Sequence, residues 1–201
     1  MKTKFAAVLG AATLAAGLGL SGGAHAADCD PGKGPDDLTY DEAKTVHDCL
    51  KPSLYEGYNQ GGKRWIPADY VKDYQSWGAA NTAPANPGFH ANRYLSTYVN
   101  EVGFETYVQY AENPTVPVGT VIAKESFSIS DGGEASKGPL FFMEKVAEGV
   151  SPETDDWYYM MVSAEGQPQA VNVVSACHEC HSGFSDTGNM GYPVEEVRLG
   201  Q

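Results

Sequence analysis

The sequence predicts an α+β fold in which short helices precede a second half made mostly of β-sheet. Four segments there, at 93–99, 120–129, 140–146 and 157–162, carry β-branched and aromatic residues that alternate with polar ones or form apolar runs. Such segments are typical of strands with one or both faces buried. Helical spacing of apolar residues is confined to short stretches. We therefore expect a sheet to form most of the core.

The first helix is predicted by a capping box. Thr39 supplies the N-cap hydroxyl and Glu42 can reach back to the backbone of Thr39, ahead of apolar residues at helical spacing up to Leu50. Pro52 is expected to end this helix. A second helix should begin at Pro67 with an aromatic face, and shorter helices are expected after Asn100 and over 176–181.

The first 26 residues have the composition of a secretory signal peptide. Lys2 and Lys4 precede an uncharged stretch rich in Ala, Leu and Gly, and residues 24–26 form a small-x-small cleavage motif. A membrane anchor needs about 20 consecutive apolar residues, and Ser21 interrupts the run before that length. We expect cleavage after about Ala26 and a periplasmic location for the mature chain.

The chain is acidic, with a formal net charge of −13 at pH 7. This charge disfavours nucleic acid and anionic membrane surfaces as partners. It suits a cationic redox partner or a small neutral or cationic substrate, and it equally suits the solubility of an exported protein.

The four cysteines fall into two pairs with separate roles. Cys29 and Cys49 flank a short segment near the expected mature N-terminus, and an exported protein can form disulfides. We therefore predict a Cys29–Cys49 bridge within an N-terminal helical element at 27–64. Residues 65–201 would form the remaining domain.

The second pair belongs to a Cys-x-x-Cys-His motif, in which Cys177 and Cys180 precede His181. This motif is the attachment signature of c-type haem: the two thiols bind the porphyrin covalently and the histidine binds the iron. A thioredoxin-like centre, a zinc site and a plain disulfide are the alternatives. A thioredoxin-like centre requires a βαβ pattern and a zinc site requires a further Cys/His pair, and the sequence shows neither. A plain disulfide would leave the role of His181 unexplained.

Few residues follow the motif to provide a second iron ligand. Met190 is the one methionine downstream, and it is only nine residues beyond His181. The remaining candidates, Met143, Met160 and Met161, lie in predicted strands and are typical of core residues. We therefore expect five-coordinate iron, with one face open to a small ligand.

Several further segments resemble the cytochrome P-460 family, and the resemblance runs from about Trp65 to Arg198. Besides the haem motif, the matching segments are Pro67-Ala68-Asp69-Tyr70, Trp77, His90-x-x-Arg93, Tyr98-Val99-Asn100, 119–125, Phe142-Met143 and Asp156-Trp157-x-Tyr159. The family includes hydroxylamine-oxidising cytochromes and nitric-oxide-binding cytochromes. The resemblance implies a mainly antiparallel sheet with short helices, a haem motif near the C-terminus, five-coordinate haem c and, often, a homodimer.

The resemblance also implies roles for residues outside the motif. Lys124 occupies the position of a lysine that some members bond to the porphyrin edge. The alternatives are a solvent-exposed charge and an ion pair with Glu125 or another acid. Arg93 can pair with a haem propionate or form a structural ion pair. Asp186 lies downstream of the motif, where catalytic members place a proton-accepting carboxylate, or it belongs to a surface loop.

Three functions follow from this interpretation. The protein would oxidise hydroxylamine or nitric oxide and pass electrons to a soluble redox partner, or it would bind nitric oxide without turnover. The third function is that of a simple periplasmic electron carrier.

Overall fold

One antiparallel sheet of six strands runs through the structure, a computed structural model that describes residues 29–200. The signal peptide expected at 1–26 lies outside the described residues. In chain order the strands are β1 (Gly78–Ala79), β2 (Tyr94–Val99), β3 (Val121–Ile129), β4 (Ala135–Lys137), β5 (Leu140–Lys145) and β6 (Trp157–Val162). Their order across the sheet is β1-β2-β3-β5-β6, with β4 also paired to β3. The predicted α+β fold with an antiparallel sheet is confirmed.

The four longer strands lie where the sequence predicts them, and β3 is central. In its register Lys124 lies opposite Thr97 of β2 on one side and Phe141 of β5 on the other. The sequence did not indicate β1 and β4, because strands of two or three residues are too short to display an alternating pattern.

Both faces of β3 are buried, and they face different neighbours. Val121, Ala123 and Phe127 belong to the core cluster that includes the long N-terminal helix. Ile122 lies in a second cluster, together with Cys177 of the haem motif. Because successive side chains point to opposite faces of a strand, the sheet lies between the N-terminal helix and the C-terminal segment.

The N-terminal helix, α1 (Tyr40–Tyr58), begins as predicted but ends later. The capping box is present: the backbone N–H of Thr39 donates to Glu42 Oε2 over 2.9 Å, and that of Glu42 donates to Thr39 Oγ1 over 3.3 Å. The prediction that Pro52 ends the helix is wrong. Proline inside a helix costs about 3 kcal/mol, but the following turns bury Leu54 and Tyr58 completely. Such burial contributes about 1.5–3 kcal/mol per side chain and offsets that cost.

The other helices are short. They are α2 (Ala68–Asp73), α3 (Phe104–Tyr107) and α4 (Glu179–His181). A π-helix (Val174–His178) leads directly into α4, and 3₁₀ turns lie at Pro35–Asp37, Tyr74–Ser76, Pro152–Thr154, Ser182–Thr187 and Glu195–Val197. The predicted helix beginning at Pro67 is therefore α2 followed by a 3₁₀ turn.

A buried carboxylate joins α1 to the sheet. Glu125 of β3 has no exposed surface, and its Oε1 lies 2.5 Å from Nε2 of His47 on α1. Its other oxygen accepts hydrogen bonds from the Tyr74 hydroxyl and, over 2.9 Å, from Gln75 Nε2. A carboxylate buried in this way needs such partners, because an unpaired charge in the core is very costly.

The predicted Cys29–Cys49 disulfide is present, and it ties the start of the described chain to α1. Its two cysteines are separated by 20 residues. We expect the Cys29→Ser/Cys49→Ser double variant to lose about 3 kcal/mol of unfolding free energy, because the bridge restricts the unfolded chain. Urea denaturation of the oxidised protein measures this loss. Reductant should destabilise the wild type similarly and leave the double variant unchanged; equal stability of the two oxidised proteins would contradict the prediction.

Candidate functional site

The Cys-x-x-Cys-His motif lies where the π-helix passes into α4. Both cysteines are free thiols in the structure; Cys177 is partly buried and Cys180 is exposed. His181 ends α4 and is buried, with 8% of its surface exposed. Single π-turns adjoining α-helices are frequent at functional sites. The predicted helix over 176–181 is thus present, with an irregular first turn.

All three motif residues border a cavity of about 480 Å³ between the sheet and the C-terminal segment. Its walls are mostly apolar and aromatic, and they include Leu95, Phe141, Met143, Met160 and Phe184. Volume and lining are both typical of a site for a small molecule or cofactor. The cavity is therefore the candidate functional site.

His181 has the protonation state that a metal ligand needs. Its Nδ1 lies 2.7 Å from the backbone oxygen of Asn189 and donates to it, which leaves the lone pair of Nε2 free. Burial, with the nearby charge of Lys124, lowers the pKa of His181 from 6.5 to about 4. The imidazole is therefore neutral at physiological pH.

Asn189 is held so that its carbonyl reaches His181. Its backbone has a φ of 63°, in the left-handed region that asparagine tolerates better than most residues. Its side-chain Nδ2 donates to Asp155 Oδ2 over 3.0 Å. The same Asp155 oxygen lies 3.5 Å from Nε2 of His178, whose Nδ1 lies 3.3 Å from the Tyr159 hydroxyl. Sequence reasoning did not identify this support for His181, because no motif joins residues so far apart in the chain.

Lys124 enters the cavity from the central strand. Only 8% of the residue is exposed, and its Nζ donates to the backbone oxygen of Gly191 over 2.7 Å. Burial lowers its pKa from 10.5 to about 8. The predicted alternatives for Lys124, an exposed charge or an ion pair with Glu125 or another acid, are wrong, because the residue is buried and pairs with no acid within residues 29–200. Since Glu125 is the next residue on β3, its side chain points to the opposite face of the sheet.

Arg93 also lines the cavity, next to the start of β2. Its Nη1 makes one long contact, 3.4 Å to Ser128 Oγ, and it forms no ion pair within residues 29–200. No carboxylate is among the residues that line the cavity. Arg93 and Lys124 thus provide two cationic groups without an acidic partner there, an arrangement that suits an anionic ligand.

Asp186 does not lie in this site. The residue is exposed in the 3₁₀ turn after α4 and is not among the residues that line the cavity. Its contact with the neighbouring segment is made by the backbone oxygen, which accepts from the Asn113 N–H over 2.6 Å. This placement of Asp186 matches the interpretation as a surface-loop residue and not that of a proton acceptor in the site.

His90 also lines the cavity. The sequence analysis identified it only as the first residue of the His90-x-x-Arg93 segment. Its ring packs against Phe141, with centroids 4.5 Å apart, and lies 6.2 Å from the ring of His181. The helical and strand patterns gave no signal for this position, because His90 belongs to an irregular loop ahead of β2.

These residues fit a haem. Two free thiols three residues apart, a neutral histidine with a free Nε2, apolar walls and two unpaired cations match the vinyl groups, iron, ring and propionates of one porphyrin. A Cys-x-x-Cys-His motif at the wall of such a cavity is typical of a c-type haem protein.

The chain matches the family model described as Cytochrome P460 over residues 71–189, and it belongs to this family. The predicted resemblance is therefore confirmed. Proteins of the family carry covalently attached haem c with iron, so the protein is a mono-haem c-type cytochrome. No curated protein is significantly similar to the chain. Within residues 29–200, the helices are too short or too polar to cross a bilayer.

Two aspartates near the motif should respond differently to substitution. Asp186→Asn should leave the reduction potential of the haem unchanged and alter the free energy of unfolding by no more than about 0.5 kcal/mol, as is usual for an exposed residue. Asp155→Ala should shift the reduction potential of the haem, because it removes the partner of Asn189, which holds His181. Redox titration and urea denaturation of both purified variants measure these effects. A large shift of the potential in Asp186→Asn would contradict this placement.

Proposed function

We propose that the protein is an exported haem c protein of the periplasm that binds and oxidises small nitrogen species, hydroxylamine or nitric oxide. Cys177 and Cys180 carry the thioether bonds, and His181 is the proximal iron ligand. The observation that carries the proposal is the free Nε2 of His181 at the wall of a mainly apolar cavity. When bound, the haem iron supplies a redox centre with one coordination position for a small ligand.

The residues of the chain create the conditions for that chemistry. The apolar walls limit water in the cavity, which strengthens electrostatic interactions inside it. Arg93 binds a propionate through its guanidinium group, and Lys124 lies on the sheet wall as the candidate for a bond to the porphyrin edge. His181 would hold the iron from one side, and the haem would supply a redox centre for hydroxylamine or nitric oxide.

Electrons from oxidation need an acceptor outside the cavity. The net charge of −13 favours a soluble redox partner with a cationic docking surface. An N-terminal element at 27–64 and a haem domain at 65–201 remain our proposed division of the chain. A homodimer, as the family resemblance implies, would leave this chemistry unchanged.

A second function, nitric oxide binding without turnover, is favoured by the lack of a carboxylate among the residues that line the cavity. Oxidation of hydroxylamine releases protons together with electrons and needs a group to accept them. Binding of nitric oxide needs no such group. A simple electron carrier is the third function, and it requires an iron that takes up no external ligand.

Anaerobic addition of each nitrogen species to the matured protein tests the proposal. We expect nitric oxide to change the haem spectrum, and hydroxylamine to reduce an added one-electron acceptor over many turnovers. Binding of nitric oxide without hydroxylamine turnover would support the second function, and a spectrum that responds to neither would support the electron carrier. As a control, the Cys177→Ala/Cys180→Ala variant should carry no haem after denaturation, because both thioether bonds are lost.

Substitution of Lys124 tests the bond to the porphyrin. The lowered pKa leaves part of the amine uncharged near neutral pH, and an uncharged amine can act as a nucleophile. A C–N bond that replaces a C–H bond at the porphyrin edge releases two protons and two electrons, so formation of the bond also requires an external two-electron oxidant such as a peroxide. We expect a red-shifted Soret band in the wild type and an ordinary c-type band in Lys124→Met, with haem still attached through both cysteines. The exposed Lys72→Met serves as the control and should keep the wild-type spectrum. An ordinary band in the wild type would exclude the bond.

A further inference from the structure

A buried tyrosine lies behind the cavity, on the other face of the sheet. Tyr74 has no exposed surface, and the centroid of its ring lies 6.3 Å from that of Phe142, a residue of β5 that also borders the cavity. The carboxylate that Tyr74 contacts belongs to Glu125, the residue after Lys124 on β3. The sheet and its side chains are therefore all that separates Tyr74 from the cavity.

The Tyr74 hydroxyl has a proton acceptor as its partner. It donates a hydrogen bond to Glu125 Oε2, and Gln75 Nε2 donates to the phenol oxygen over 3.0 Å. Burial, followed by the charge of Glu125, raises the pKa of Tyr74 far above its ordinary value, so the phenol keeps its proton in the resting protein. A phenol that has lost an electron is, by contrast, a strong acid. Glu125 is placed to take its proton.

Further titratable groups continue from Glu125 towards the surface. Glu125 Oε1 lies 2.5 Å from Nε2 of His47, and the other ring nitrogen of His47 lies 3.9 Å from Oδ1 of Asp48. The side chain of Asp48 is more than half exposed. A proton released by the buried phenol thus has a carboxylate, an imidazole and a surface acid in sequence.

The electrostatics of the buried pair favour loss of an electron together with transfer of the proton. Before the transfer, the pair carries the negative charge of Glu125, which is costly in a core. Afterwards the phenoxyl oxygen of Tyr74 and the protonated carboxyl group are both neutral. The Gln75 amide can still donate to the phenoxyl oxygen. Oxidation of Tyr74 therefore removes a buried charge.

Most other tyrosines within residues 29–200 lack such a partner. Backbone oxygens, which are very weak bases, accept the hydroxyl hydrogen bonds of Tyr55, Tyr58, Tyr94, Tyr107, Tyr110 and Tyr192.

Two tyrosines have a side-chain base nearby and are the competing sites. The Tyr159 hydroxyl lies 3.3 Å from His178 Nδ1, which is a long hydrogen bond, and Tyr70 contacts Glu144 but is partly exposed. In the described part of the chain, Tyr74 alone combines complete burial with a hydrogen bond to a carboxylate.

We propose that Tyr74 is a redox-active residue, which becomes a neutral tyrosyl radical when a peroxide oxidises the haem protein. Its O–H bond breaks: one electron leaves towards the cavity and the proton goes to Glu125. Hydrogen peroxide takes up two electrons and two solvent protons as its O–O bond breaks, and two water molecules form. Tyr74 supplies one of these electrons, and the other comes from the haem.

Such a site would protect the cavity. Three methionines, Met143, Met160 and Met161, line its walls, and oxidants convert methionine to the polar sulfoxide. An electron supplied by Tyr74 removes an oxidising equivalent before it reaches them. The inference goes beyond the proposed function, because it needs the haem but no oxidation of hydroxylamine or nitric oxide.

Electron paramagnetic resonance of the matured ferric protein, frozen after brief mixing with hydrogen peroxide, tests the proposal. We expect a tyrosyl signal in the wild type, which should narrow when the protein is made with deuterated tyrosine. Tyr74→Phe should lose the signal and keep its covalent haem, since His47 and Gln75 still pair with Glu125.

Tyr58→Phe is the matched control. Tyr58 is as buried as Tyr74 and contacts its ring, but its hydroxyl donates to the backbone oxygen of Gly138. This variant should keep the wild-type signal.

Glu125→Gln tests the transfer of the proton. Glutamine keeps the shape of the side chain but accepts no proton, so formation of the radical should be slower by at least about tenfold. Formation in the wild type should also be slower in D₂O than in H₂O, a comparison that holds even if Glu125→Gln fails to fold. Equal rates in the two solvents would contradict the proton transfer.

Two further results would overturn the proposal. An undiminished signal in Tyr74→Phe would assign the radical to Tyr70, Tyr159 or another residue, and a wild type without any protein radical would show that Tyr74 is not oxidised. Failure of the proposed function looks different: a protein that forms the radical at Tyr74 but oxidises neither hydroxylamine nor nitric oxide would support this inference and refute that function.

Discussion

The structure depends on one constraint in its central strand: two adjacent ionisable residues, Lys124 and Glu125, are both buried, on opposite faces of the sheet. Each needs polar partners because burial removes most of its contact with water. Glu125 finds them in His47, Tyr74 and Gln75, on the side of α1. Lys124 finds one, the Gly191 carbonyl, and otherwise borders the cavity. Because side chains alternate along β3, Glu125 lies on the face of the sheet that packs against α1, and Lys124 lies on the face that borders the cavity.

This constraint explains why the N-terminal helix packs tightly on the sheet. The family match begins at residue 71, after α1 has ended. Yet α1 supplies His47 to the buried carboxylate of β3, and its apolar residues share one core cluster with that strand. Without the His47 side chain, Glu125 would be buried without its imidazole partner, which is a strongly destabilising change in a core. The helix therefore fixes the strand on which Lys124 depends for its position.

Much of this fold could be predicted from the sequence because the relevant forces are local. Alternation located four strands, a capping box located the start of α1, and the cysteine spacing identified both the disulfide and the haem motif. The prediction that Pro52 ends α1 was wrong because it considered only the local cost of proline in a helix. Burial of Leu54 and Tyr58, which depends on tertiary packing, outweighs that cost. The place of Lys124 in a strand followed from the sequence pattern, but its neighbours did not, since the Gly191 carbonyl lies 67 residues away in sequence.

The least predictable parts of the site are its irregular segments. Asn189 and His90 both have left-handed backbone conformations, which no hydrophobic period reveals. There is a physical reason for their position: strands and helices satisfy their own backbone groups, whereas an irregular segment leaves carbonyls free and can direct a side chain across a cavity. The Asn189 carbonyl fixes the tautomer of His181 from one side, while the loop of His90 presents a second imidazole to the same space. The rigid sheet can then provide the walls, and the irregular segments place the polar groups at the edge of the cavity.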